Sequence, residues 1–231
     1  MDWLQTLGRG GLGAWQTLNS VRTLMVQAGA ALWGHGTDRR SMQEHLFRMG
    51  VEGGSTAITA GAVSGLLMIG VPLIFAGELA LERVGGLLGV PVVRILAPTV
   101  AAAVIAGRAQ IDPSEDTPLG QQAATPILAG TLAALNLWVL TALGALMAGY
   151  VLGGVVGGLP VTRLFLSFAG ELVLMDVVHG AAKAALFGAV VGVVRSHQAL
   201  IRRQPRGALR AVLACLLLDG LLNLPWLLRM M

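Results

Sequence analysis

Asp176, His179 and Lys183 are ionisable residues spaced by three and four, the interval that stacks side chains on one face of a helix. With Glu171 they interrupt one long apolar run, and Asp219 interrupts another. Ionisable groups in such surroundings are costly and face protein or a water-filled cavity. The chemistry open to them is proton relay, or a polar wall beside a lipid path. The plainer reading is a structural ion pair that fixes how the run packs, with Asp219 as a partner for Lys183, because buried charges are generally paired. Catalysis finds little support. His35, His45, His179 and His197 are scattered without His-x-x-x-His spacing, and no serine sits in a Gly-x-Ser-x-Gly elbow. No metal site is expected. The stretch from Gly8 to Gly13 is glycine-rich but has no strand before it and no Gly-Lys-Ser after it, so nucleotide would have to be bound by another subunit.

The elements that must position these charges follow from composition. Of 231 residues, 55% are hydrophobic and 12% charged, with a mean hydropathy of +0.74, too apolar for an ordinary soluble domain. Glycine occurs 32 times against 5% aromatic residues, the small-residue bias that lets membrane helices approach closely. Five runs reach the roughly 20 residues a span requires: 55–80, 87–106, 126–156, 164–194 and 208–228. The third and fourth are overlong and are expected to tilt or to break at their glycines. Cys215, the single cysteine, reads as packing.

Ahead of the runs, residues from Trp3 to Trp33 set Leu4, Leu7, Trp15, Leu18, Val21, Met25, Ala28 and Leu32 on one stripe, as in an amphipathic helix lying in the membrane interface. Gly34 to Arg48 reads as a solvated connection. The chain thus divides into 1–48, the interfacial helix and its connection, and 49–231, the five-span unit. Five spans with the N-terminus inside place Arg9, Arg22, Arg39, Arg40, Arg48, Arg108, Arg195, Arg202, Arg203, Arg206 and Arg210 in the cytoplasm. Only Arg83, Arg94, Arg163 and Arg229 are left outside. The bias predicts a cytoplasmic N-terminus and an external C-terminus, and it explains the basic pI of about 10.5 without nucleic acid.

Read in order, the runs carry short motifs. Phe47-Arg48-Met49-Gly50-Val51 precedes a first span with Gly61 and Gly65. Val93-Arg94-Ile95-Leu96-Ala97-Pro98 leads through an apolar run to Ala106-Gly107-Arg108, and Ala124-Thr125-Pro126 leads to Ala129-Gly130. Asp176 is followed by Lys183 and Phe187, and Leu218-Asp219-Gly220 lies in the last run. In order and spacing these resemble the MlaE (YrbE) family, the permease subunits of ABC transporters that move phospholipid together with MCE-domain proteins. The family reads Tyr-x-x-Gly-Val, Leu-Arg-Glu-Leu-Gly-Pro, Ala-Gly-Arg, Pro-Arg-x-x-Ala-Gly, Asp through Lys-Ser-x-x-Phe, and Leu-Asp-Phe at the corresponding places. Arg94, Pro98, Gly107 and Arg108 are thereby motif positions.

The resemblance implies an all-α integral membrane fold: an N-terminal interfacial helix plus five transmembrane helices, in the inner membrane. It implies a second permease subunit, a cytoplasmic ATPase that holds ATP and magnesium, and an MCE partner, with no cofactor in this chain and no enzymatic activity of its own. By position it makes Leu67, Val71, Leu73 and Ile74 lipid-path candidates, although ordinary packing or lipid-facing positions serve as well. The departures are Ile95 for glutamate and Gly70-Val71-Pro72 for Leu-Gln-Gly. After Arg108 the family continues into a coupling helix that docks on the ATPase. Here Gln110 to Gly120 carries two prolines and three acids, a turn-rich loop. The chain is therefore expected to be a degenerate permease paired with a complete one. The rival is a non-transporting scaffold that assembles the complex.

Overall fold

The computed structural model describes residues 16–31 apart from 18, 39–76, 89–109, 111, 117–158, 160, 162, 166, 170, 172–201 and 207–230. Among them helices account for all regular structure, and no strand occurs. Helix α1 covers residues 19–31. Helix α2, Arg39–Leu46, passes through a π turn, Phe47–Val51, straight into α3, Glu52–Ala76. Helix α4, Gly89–Arg108, contains a second π turn, Val92–Leu96. Helix α5 is Leu119–Gly157, α6 is Leu174–Ser196 followed by a third π turn, His197–Ile201, and α7 is Ala208–Met230.

Among the described residues, three helical segments are long and apolar enough to cross a membrane: Gly89–Arg108, Leu119–Val155 and Leu174–Ile201. The chain is an integral membrane protein. The other two expected spans fall on α3 and α7, helices of 25 and 23 residues. The boundary drawn at residue 48 lies within the first π turn of an uninterrupted helix. The stretch read as a solvated connection is helical from Arg39.

Of the two overlong runs, expected to tilt or to break at their glycines, the third stays unbroken and the fourth is interrupted after Gly170. Helix α5 does not break at its internal glycines: it runs 39 residues, about 58 Å at 1.5 Å per residue. It stops only at Gly158, whose φ of 63° is the left-handed conformation that ends helices and favours glycine. In the fourth run Leu166 and Gly170 are helical, residues 172 and 173 are not, and α6 starts at Leu174 after Val173, which is extended with φ −88° and ψ 146°. Asp176 then fills the first turn, where its carboxylate accepts the Val173 N–H at 3.2 Å. A carboxylate there is favoured by the unsatisfied N–H groups and the helix dipole. Hydropathy misses this start because the preceding residues are themselves apolar.

The core is built from small residues. Ala57, Ala97, Ala101, Ala129, Ala133, Ala134, Ala145 and Ala184 are all buried, with Phe187 the largest fully enclosed side chain among them. Helices α3 and α5 run parallel, Gly53 lying against Leu137 and Gly65 against Ala145. A β-carbon at Gly61 or Gly65 would run into the carbonyl oxygen of Thr141 or Ala145, so glycine is what allows the two backbones to touch. Helix α6 packs antiparallel on α5, Gly188 facing Gly130. Helix α1 joins through a smaller cluster, Leu24 and Ala28 on Ala123 and Ala124. Of the expected apolar stripe, Met25 is exposed together with Val26, while Ala28 is buried on α5. Trp3, Trp15 and Trp33 lie outside the described residues.

Candidate functional site: a polar node between three helices

The second π turn arises from one residue. Pro98 has no N–H, so the Arg94 carbonyl, four residues back, cannot receive its helical hydrogen bond. The Ala97 N–H meanwhile reaches back five residues to the Val92 carbonyl, which leaves the Val93 carbonyl free too. Two unpaired acceptors inside an apolar bundle would each cost about 1–3 kcal/mol. Both are taken by side chains of other helices: the Trp138 indole of α5 donates to the Val93 carbonyl at 2.9 Å, and the Lys183 ammonium of α6 donates to the Arg94 carbonyl at 2.9 Å.

Lys183 completes its donor set on α7. Its Nζ lies 2.5 Å from Asp219 Oδ1 and donates to Asn223 Oδ1 at 3.1 Å. Asn223 Nδ2 donates back to Asp219 Oδ2 at 2.9 Å. The Lys183 side chain is 1% exposed, and Phe187 lies beneath it, its ring centre 6.0 Å from Nζ. The ammonium thus has two hydrogen-bond acceptors and a counter-charge in contact, which is what a buried charge requires. Asp219 is eleven residues from either end of α7, roughly 16 Å, and so lies near the helix midpoint.

Asp176 belongs to a different pair. Its Oδ1 accepts from Arg94 Nη1 at 3.1 Å, with side chains 13% and 19% exposed. Thus of the face formed by Asp176, His179 and Lys183, the two charged members find their counter-charges on different helices, α4 and α7. The His179 Nε2 is buried between them and makes no hydrogen bond. Glu171 lies outside the described residues. With two cations and two anions the node is neutral. It can hold three helices in register, and its Arg94–Asp176 edge, being partly open, can exchange partners.

The lipid-path candidates lie elsewhere. Leu67 and Val71 are exposed on α3, whereas the side chains of Leu73 and Ile74 are outside the described residues. Pro98 is buried, and Gly107 has open space over its Cα. Arg108, which ends α4, contacts Glu52 Oε2 at 3.3 Å and donates to Thr56 Oγ1 at 3.4 Å. At the same end the Arg195 guanidinium closes α4 by donating to the Ala109 carbonyl at 2.9 Å. Buried His197 meets Ser20 of α1 at 2.9 Å.

Sequence reasoning missed Asn223, Trp138 and Glu52. Asn223 was accessible, four residues after Asp219 and so on its face. The Arg94 carbonyl was accessible too, because any proline in a helix orphans the acceptor four residues back. Trp138 and Glu52 carried no such signal. The acidic loop expected in place of a coupling helix lies mostly outside the described residues, but it is bounded by Arg108 and Leu119.

No curated protein matches the chain. A family model matches residues 117–218, which cover α5, α6 and the first half of α7, and its description is Permease MlaE.

Proposed function

We propose, on the premise that the chain belongs to the MlaE permease family through residues 117–218, that it is the membrane-spanning permease subunit of an ABC lipid transporter. The observation that carries this is the neutral node of Lys183, Asp219, Arg94 and Asp176. It ties the family-matched helices α6 and α7 to α4, a third apolar helix outside the matched stretch. A polar centre kept intact among membrane helices fixes their register, as a path between them requires.

In this reading α3 and α7 cross the bilayer with α4, α5 and α6, the N-terminus is cytoplasmic and the C-terminus external, and the membrane is the inner one. Phospholipid is the cargo. A cytoplasmic ATPase holds ATP and magnesium, and an MCE-domain protein receives or delivers lipid. Ten residues separate α4 from α5, too few for a further docking helix with its flanks, since a helix of even three turns takes about 11. The power stroke therefore reaches this chain through a second, complete permease. Purification from native membranes, with mass spectrometry of subunits and bound lipid, is expected to return a different permease, an ATPase and phospholipid. Recovery of this chain as the sole permease with fully coupled ATP hydrolysis would reject the heteromeric arrangement. Recovery without any lipid would favour a scaffold.

A further inference from the structure

One stripe of α3 is left uncovered by the other described helices, and it changes character halfway. Glu52, Thr56 and Thr59 are exposed in its first half, Val63, Leu67 and Val71 in its second. Steps of three and four place all six on one face. The polar half is the end of α3 that the proposed topology turns to the cytoplasm, with Arg108 at the end of α4. Gly53 packs against Leu137, and Gly61 against Thr141, so this end lies beside the middle of α5, where that helix exposes Val139 and Leu143.

Arg108 reaches across from α4 to this half. Its contacts to Glu52 and Thr56 are long, 3.3 and 3.4 Å, and the two charged side chains are 35% and 47% exposed. A guanidinium carries five N–H donors in a planar fork, so it retains donors towards the open side. Beside it Ala103 and Gly107 are exposed and small, which leaves space for a bulky group.

We infer that Arg108 and Thr56 form a headgroup subsite for a phospholipid, the phosphate displacing Glu52 from Arg108 while the acyl chains lie along Val63, Leu67 and Val71. Guanidinium and phosphate match as bidentate partners. From Thr56 to Val71 the helix rises about 22 Å, enough for the roughly 15 Å that one leaflet's chains occupy. Glu52 acts as a stand-in anion that keeps Arg108 paired when no lipid is bound. The subsite rests on the lipid-permease reading.

The full-length protein in nanodiscs, probed by native mass spectrometry, tests it with dioleoylphosphatidylglycerol against dioleoylglycerol, which lacks the phosphate. Retention of the phospholipid is expected to exceed that of the diacylglycerol about tenfold, the size of one charge-assisted contact. Arg108→Gln should remove the preference and Thr56→Val should reduce it. Glu52→Gln should raise it, a gain that misfolding cannot mimic. Equal retention of both lipids, unchanged by Arg108→Gln and Glu52→Gln, would overturn the subsite and leave the permease reading standing. Retention of neither lipid, by wild type and variants alike, would sink both. Lipid-independent disulfide dimers through Thr56→Cys would show that the stripe is a protein contact, and would overturn the subsite alone.

Discussion

Two ion pairs of similar composition are used in opposite ways. Lys183 and Asp219 are almost fully enclosed, with 1% and 12% of their side chains exposed, and meet at 2.5 Å. Arg108 and Glu52 are one-third to one-half exposed and meet at 3.3 Å. In the first pair the ammonium is enclosed, with two acceptors and its counter-charge in contact. In the second the geometry is loose and donors remain. Burial decides whether a charge pair is a fastening or a vacancy-bearing contact, because desolvation makes an unpaired interior charge prohibitive and leaves a surface one cheap.

The sharpest way to break this contrast is at Lys183. Lys183→Met orphans Asp219 and the Arg94 carbonyl together and is expected to destabilise the fold by about 3–5 kcal/mol, read as a lowered thermal midpoint in detergent. Adding Asp219→Leu should recover much of that loss. Failure of the double variant to exceed the single would mean that the pair is not a closed unit. Trp138→Phe is a gentler cut, since it removes the donor to the Val93 carbonyl alone. About 1–2 kcal/mol is expected, seen as a smaller shift of the same midpoint. Arg108→Gln comes last. Its stability should change by less than about 1 kcal/mol even though lipid retention falls, and a large drop in midpoint would erase the distinction between the two pairs.

The legible and illegible parts of this molecule divide along physical lines. The apolar runs announced the helices, because length and hydropathy alone decide whether a segment can be buried. The extended break at Val173 was hidden, since apolar composition is the same whether a backbone is helical or not. This hid the start of α6 and with it the place of Asp176 in the first turn. Local spacing placed Asp176, His179 and Lys183 on one face but could not say that Asp176 would bind Arg94, 82 residues away. That depends on how α4 lies against α6, and so on Gly180 approaching the Val93 carbonyl. Likewise nothing in the neighbourhood of Glu52 signals Arg108, 56 residues away. Long-range pairs are a property of packing, not of pattern.

The π turn ahead of Pro98 also sets a phase. It spends one more residue than an α-helical turn, and each residue of an α-helix advances the face by about 100°. Val92 to Leu96 therefore works like an offset between two halves of a screw. Everything before it, from Gly89, is indexed to one angle, and everything after it, down to Arg108, to another. A deletion of a single residue within the turn would let it close as an ordinary α turn with both halves still facing their neighbours, whereas the same deletion elsewhere in α4 would swing one half away by about 100°. In α4, the number of residues matters as much as their kind.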